Sequence, residues 1–311
     1  MIMAEQLFYY FIFPGMLFAF VAGGLLSGID RKLTAQVQFR KGPPILQPFY
    51  DFLKLLLVKE TILPKHGAPF TFLLAPVLAV FGATIAGTFI LLPAFNITTG
   101  FEGDVIVIFY LLAIPSLSFV IGAMASANPL ASVGASREMK LIIGYELTFI
   151  LILAAIVYKS GMQISIYDII EQQKNGAFIG SISGALLFIA FLFVIQAKLG
   201  LVPFDIAEAE TELAEGAFIE YSGPAYALIK LTKYILFFVL PAFAIVLLLG
   251  GFNFSGIDIL WSVLKIILMV LLITLIRNTN PRVKVGQAMR FFFLWMNILV
   301  IASIVLSIFG L

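Results

Sequence analysis

The chain has 311 residues, 62% of them apolar and only 12% charged, about half the roughly 25% charge content of ordinary soluble domains. That balance excludes most cytosolic enzymes and implies an integral membrane protein. With no Cys and one His, the chain cannot supply thiolates to an iron–sulfur cluster or paired imidazoles to a membrane haem, so any electrons pass through other subunits.

A hydrocarbon core about 30 Å thick takes about 20 helical residues to cross. Runs without Asp, Glu, Lys or Arg occupy 7–29, 67–101, 105–136, 175–197, 234–257 and 291–311. Adding 141–158, interrupted by Glu146, and 258–277, interrupted by Lys265, predicts an all-α membrane protein of about eight spans. These lie near 7–29, 68–93, 105–126, 141–158, 178–198, 224–249, 258–277 and 291–310. The first is read as a retained helix rather than a cleaved leader, because Glu5 is the only charge before it and a basic n-region is missing.

After the first span comes a polar loop, 30–66. Within it Phe49, Phe52, Leu53, Leu56 and Leu57 recur at helical spacing with Asp51, Lys54 and Lys59 off the stripe, the pattern of a short amphipathic helix on the membrane surface. Further along, Glu146 sits one to two turns inside the fourth span. An ionisable group there costs about 2.5–3.5 kcal/mol on insertion scales, so it is read as a proton-relay carboxylate; the plainer alternative is an ion pair with nearby Arg137 or Lys140. Gly176, Gly180 and Gly184 form a small-residue ladder at the start of the fifth span, expected to pack helices closely.

The loop after the fifth span carries Asp205, Glu208, Glu210, Glu212, Glu215 and Glu220, with no basic residue between Lys198 and Lys230. On a helix Glu208, Glu212 and Glu215 would share a face, and each like-charge i,i+4 pair would cost about 0.2–0.5 kcal/mol. An acidic run is ordinarily a solvated face. Here Leu201, Val202, Phe204, Ile206, Leu213, Phe218 and Ile219 interleave it and would pull it against the membrane domain, leaving some carboxylates desolvated and protonated at neutral pH. Such a cluster suits proton uptake or a charge-sensitive switch. Lys230 and Lys233 open the sixth span, where snorkelling explains them as well as function does. Lys265 is too central to snorkel easily, and the sequence names no partner for it.

Placing the N-terminus outside puts sixteen of the nineteen basic residues inside, leaving Lys159 and Lys174 outside and Lys265 within a span. The positive-inside rule therefore puts both termini outside the cell membrane. The chain is read as one polytopic unit, 1–311, whose inside loops 30–66, 127–140, 199–223 and 278–290 form a surface for peripheral subunits.

Several of these segments resemble one known family. Asp30-Arg31-Lys32 followed by Gln38, Arg40, Gly42-Pro43, Leu46-Gln47-Pro48, Asp51, Lys54-Leu55 and Lys59-Glu60 is similar to the first cytoplasmic loop of the family of the complex I H subunit. Pro203-Phe204-Asp205 with Glu208, Glu210, Glu212, Gly216 and Glu220-Tyr221-Ser222-Gly223 resembles its acidic loop. Arg137 with Tyr145-Glu146, and Pro281-Arg282-Val283-Lys284 with Gln287 and Met289, resemble its central and penultimate loops.

The resemblance spans about residues 15 to 300. It implies a non-redox membrane subunit at the joint between an electron-transfer arm and an ion-translocating arm. The quinone-reducing branch has a Gly-containing insert before Leu-Gln-Pro, whereas Gly42-Pro43-Pro44-Ile45-Leu46-Gln47-Pro48 runs straight through. That departure looks like the branch in energy-converting nickel–iron hydrogenases and related sulfane reductases. The implied partners are a hydrogenase-like large subunit, iron–sulfur subunits, antiporter-like membrane subunits and the lipid bilayer, with no nucleic acid. The nickel–iron site and clusters would belong to those partners, and this chain would hold no cofactor. Arg31, Arg40, Lys41, Asp51, Arg137 and Arg282 are the implied docking residues, although topology and lipid headgroups account for the basic ones equally well. Glu146, the acidic loop and Lys265 would be the coupling groups. The quinone-site subunit of a complex I-type dehydrogenase, an independent transporter and a purely structural anchor are the competing readings.

Overall fold

The computed structural model describes residues 2–174, 176–208, 214–253, 256 and 258–310. Among them the regular elements are all helical. In chain order they are α1 (Ile2–Phe11), α2 (Met16–Val37), α3 (Gln47–Leu57), α4 (Pro69–Ala94), α5 (Asp104–Ala125), α6 (Pro129–Lys159), α7 (Ile166–Gln173), α8 (Ile182–Lys198), α9 (Gly223–Leu248), α10 (Asp258–Thr279), α11 (Val285–Arg290) and α12 (Asn297–Ile308). Among the described residues seven helical stretches are long and apolar enough to cross a membrane, and α8 is a shorter apolar helix of 17 residues. This agrees with the predicted fold class, and α3 is the expected amphipathic helix.

Several predicted boundaries move, for physical reasons. Pro14 and Gly15 interrupt the first span, so α1 ends at Phe11 and α2 continues past the apolar run through Asp30, Arg31 and Lys32. Charges can stay in that helix because Asp30 and Arg31 find partners inside the protein. Most of the predicted loop 127–140 is the first third of α6. Pro129 starts it, and the Asn128 side chain accepts from Leu130 N at 2.8 Å, a favourable cap.

The glycine ladder is a misreading of spacing. Gly176 has φ +152° and Gly180 closes a single 3₁₀ turn; only Gly184 lies in α8, where a Cβ would overlap the Phe178 carbonyl. The final span runs from Val285 to Ile308 as α11, a π-helical turn at Phe291–Met296, and α12. The π turn faces α6, where Thr148 Oγ1 donates to Asn297 Oδ1 at 2.8 Å.

Beyond Lys233, α9 is apolar around its whole circumference and is buried almost throughout, as such a helix must be. It packs against α2, α3, α4, α7, α8 and α10, while α6 packs with α5, α8 and α12. In lipid, helices associate through close packing rather than water exclusion. Small residues therefore carry the contacts: Ala79, Gly82, Ala83, Ala86 and Gly87 on α4 are buried, and Gly23 brings α2 directly onto the Tyr234 carbonyl of α9.

The four predicted inside loops meet at one end of the bundle. Val283 N donates to Pro203 O at 3.2 Å and Ile62 N to Ser222 Oγ at 2.9 Å, while Asn128 Nδ2 donates to Glu220 Oε1 at 2.5 Å. The Tyr221 ring stacks on Phe72 at 4.0 Å and its hydroxyl donates to the Phe72 carbonyl at 3.0 Å, fastening this end to α4.

Overpacking a close contact costs about 1–3 kcal/mol, so Gly23→Ala is expected to lower the melting temperature of the purified chain in detergent. Gly286→Ala, where a Cβ meets open space, is expected to leave it unchanged or raise it. Equal melting of the two variants would contradict the α2–α9 contact.

Candidate functional site

Two helices that are distant in sequence converge on Glu146. α6 presents it in mid-helix, and the last turn of α8 brings Lys198 Nζ to 2.5 Å from Glu146 Oε1, with side-chain exposures of 2% for Lys198 and 14% for Glu146. The partner is neither Arg137 nor Lys140. Lys198 also donates to Leu112 O at 3.4 Å and lies 5.2 Å and 4.7 Å from the ring centroids of Tyr145 and Phe149. Ring faces and a carbonyl give the ammonium partial compensation for lost water. Tyr145 is itself buried and donates to Ser116 Oγ at 3.0 Å. Glu146 Oε2 is buried with no hydrogen-bond partner among the described residues. Its second oxygen is therefore an unused acceptor in a low-dielectric setting.

The residues following Lys198 line a polar cavity of about 370 Å³. Asp30, Asp205 and Glu208 face it together with Arg31, Lys230, Lys233, Arg277 and Arg282. Most of these groups are already paired. Arg277 donates to Asp30 at 2.7 Å, and Thr274 Oγ1 donates to the other Asp30 oxygen at 2.7 Å. Arg282 Nε donates to Asp205 Oδ2 at 2.7 Å, and Lys233 Nζ to Glu208 Oε2 at 2.5 Å. Burial pushes the Asp205 carboxyl above its ordinary value, against the opposing pull of Arg282. Asp205 Oδ1 has no hydrogen-bond partner among the described residues.

A second cavity, of about 300 Å³, shares Asp205 and Arg282 with the first and adds Arg137 and Lys284. A third, of about 290 Å³, shares Arg31 and Arg277 and adds Arg40 and Lys41. Arg31 also pairs with Asp51 on α3 at 3.0 Å, where Gln47 donates to the same carboxylate at 2.8 Å. The predicted docking residues Arg31, Arg40, Lys41, Asp51, Arg137 and Arg282 thus lie at the same end as the acidic loop. Arg40 bonds Gln38.

The remaining predicted site residues divide. Glu208 reaches the cavity, and Glu220 holds Asn128, the cap of α6. Glu215 is exposed, in a left-handed conformation ahead of a 3₁₀ turn. Glu210 and Glu212 lie outside the described residues. Lys265 sits apart from this group: its Nζ donates to Leu249 O at 2.6 Å and Gly251 O at 2.9 Å, tying off the C-terminus of α9. Lys233 points inward to Glu208 and over the Phe218 ring at 4.7 Å, so it is not snorkelling.

Sequence reasoning missed Lys198, Asp30 and Arg277. Lys198 looked like a topology residue, and nothing in its neighbourhood signals a partner 52 positions away. Asp30 carried a usable signal, since it directly follows the charge-free run through Ile29 within reach of the same helix. Among the described residues no three His, Cys, Asp or Glu side chains are grouped so as to hold a metal ion. What the arrangement offers chemically is a set of closely paired acids and bases bordering small polar cavities, with spare carboxylate oxygens at Glu146 and Asp205.

Residues 10–308 match the NADH dehydrogenase family. The chain is 36% identical over 289 residues to the H subunit of NADH-quinone oxidoreductase from Anoxybacillus flavithermus, covering 88% of this chain and 84% of that one. It is 33% identical over 288 residues to the corresponding protein of a Geobacillus species, covering 87% and 83%. Among solved structures it is similar, at 29% identity and a TM-score of 0.86, to a chain of the membrane-bound sulfane sulfur reductase, an archaeal respiratory membrane complex; the match covers 94% of this chain and 96% of that one. The protein therefore belongs to the NADH dehydrogenase family, that of the complex I H subunit, as a multi-pass membrane member.

Proposed function

We propose that this chain is a non-redox membrane subunit of a complex I-type respiratory assembly, coupling electron transfer in peripheral partners to translocation of protons or sodium ions. The observation that carries the reading is the buried Glu146–Lys198 pair beside a cavity lined by further ion pairs. A change of charge at the cavity alters the balance of Asp205 with Arg282 and of Glu208 with Lys233. Protonation of Glu146 then removes the counter-charge of Lys198, whose ammonium keeps only the Leu112 carbonyl and two aromatic faces. Ion movement follows from restoring that neutrality.

The end bearing Arg31, Arg40, Lys41, Asp51, Arg137 and Arg282 faces the cytoplasm and docks the peripheral subunits. The excess of basic residues there supports this orientation, with both termini outside. The straight Gly42–Pro48 segment supports a ferredoxin-linked, hydrogenase-type complex, with the nickel–iron site and iron–sulfur clusters in the partners and antiporter-like subunits alongside. Likeness to a chain of a sulfane sulfur reductase complex favours a second reading, in which the large subunit reduces sulfane sulfur. Kinship with quinone-reducing relatives supports a third, a quinone-site subunit.

Removing one member of a buried ion pair costs about 3–5 kcal/mol. Glu146→Gln alone is therefore expected to reduce assembly, while the double variant Glu146→Gln with Lys198→Met restores it. In membrane vesicles the assembled double variant is expected to keep electron transfer to an artificial acceptor and lose ion pumping. Full pumping would reduce the pair to a structural brace.

The raised Asp205 carboxyl is expected to take up its proton at higher pH than an exposed Asp. Because the folded value lies above the unfolded one, this group opposes folding increasingly as pH rises through that range. Infrared difference spectra recorded against pH, with Asp205→Asn identifying the carboxyl band, check the assignment. An ordinary Asp titration would refute it.

Mass spectrometry of co-purifying subunits with metal analysis separates the three assemblies. Stoichiometric nickel is expected for the hydrogenase type; iron without nickel would favour the sulfane or quinone reading.

A further inference from the structure

Lys159 ends α6 at the opposite end of the bundle from the charged loops, and the coupling proposal makes no use of it. Its Nζ donates to Ser181 Oγ and to Ser183 Oγ, each at 2.5 Å, and lies 6.0 Å from the Phe178 ring centroid. Both oxygen partners are neutral. Elsewhere Lys198, Lys233, Arg277, Arg282 and Arg31 each have a carboxylate, and Lys265 has two backbone carbonyls. Lys174, also at this end, is paired with Glu171. Among the described residues Lys159 has no carboxylate partner, and its charge is left for something outside the chain to balance.

Space for such a group is present. A cavity of about 720 Å³ borders the ammonium, with Tyr158, Phe178, Gly180, Ser181 and Ser307 among its walls. A Cβ at Gly180 would meet nothing, so the backbone itself leaves the opening clear. The cavity lies where α6 ends, α8 begins and α12 ends, which puts it where helices leave the hydrocarbon. Chain neighbours of its lining, Ile182, Ile308 and Phe309, are 60%, 59% and 75% exposed. α8 has only 17 residues, about 25 Å of helix against about 30 Å of hydrocarbon, so its serine-bearing start sits near the depth of lipid headgroups and acyl linkages.

An anion that also brings apolar chains satisfies both features. We propose that this cavity binds a phospholipid of the adjacent leaflet, its phosphodiester oxygen accepting from Lys159 with Ser181 beside it, and its acyl chains lying along Ile182 and Ile308. A charge-assisted bond suits the ammonium better than the two hydroxyls it now holds. Inorganic phosphate shares the anionic chemistry without the apolar part.

The test is native mass spectrometry of the full chain in neutral detergent, titrated with phosphatidylglycerol or with diacylglycerol of the same acyl chains. Inorganic phosphate is added as a competitor in a separate arm. One tight phosphatidylglycerol adduct is expected in the unmodified protein and in Lys159→Arg, weakened about tenfold in Lys159→Gln, as loss of one charged hydrogen bond predicts. Lys174→Gln is expected to bind normally. Diacylglycerol binding as tightly as phosphatidylglycerol would overturn the proposal on the unmodified protein, without recourse to any variant. So would undiminished binding by Lys159→Gln, or displacement of the lipid by equimolar inorganic phosphate, which would make the ligand a free anion.

Discussion

The Glu146 carboxylate and the Lys198 ammonium, 2.5 Å apart and both largely buried, set the terms for the surrounding structure. Each ion, taken from water into a low-dielectric interior, costs several kcal/mol, and their attraction returns this only in good geometry. The geometry requires α6 and α8 to be held side by side to within tenths of an ångström. That requirement explains why α6 is packed on three sides, by α5, α8 and α12, and why the aromatic faces of Tyr145 and Phe149 close over the ammonium. Asp30, Asp205 and Glu208 are likewise each matched by a cation of their own.

Around this polar seam the bundle is organised by an opposite rule. Beyond Lys233, α9 contributes almost nothing but apolar contact, and its neighbours come close by shedding side chains, as Gly23 and Gly87 do. The outer helices α10 and α12, with the π turn that leads into the latter, turn large residues such as Leu260, Trp261 and Trp295 outward. Rigid packing and the main group of ion pairs are thus segregated: packing fills the centre of the bundle, while the ion pairs of the polar cavity sit at one end and reach inward along α6 and α8.

Much of the span arrangement was legible in the sequence, because charge-free runs of membrane length have few other uses. The helix ends were not legible. Asp30, Arg31 and Arg137 look like loop residues to a rule that counts charges, yet α2 and α6 contain them, since partners elsewhere in the fold lower the cost of keeping them helical. Glu146 stood out by position alone, but Lys198 did not, because its role depends on a contact that only folding creates. Lys265 could not be partnered from sequence because its acceptors are backbone carbonyls, which every residue has. The Gly176, Gly180 and Gly184 spacing misled because a four-residue period carries meaning only where the backbone is already helical. Of the acidic loop, Asp205 and Glu208 line the cavity and hold cations, whereas Glu215 is exposed.

The acidic loop and the turn between α10 and α11 are joined twice, by Val283 N to Pro203 O and by Arg282 to Asp205. These bonds make the two segments one mechanical piece. That piece leads into the last helix, whose π turn sits against Thr148 on α6, half a turn beyond Glu146. A displacement of Pro203–Asp205 therefore has two ways to reach the centre of α6. One is electrical, through the charges of the cavity; the other is a lever made of backbone, running through Arg282 and the C-terminal helix.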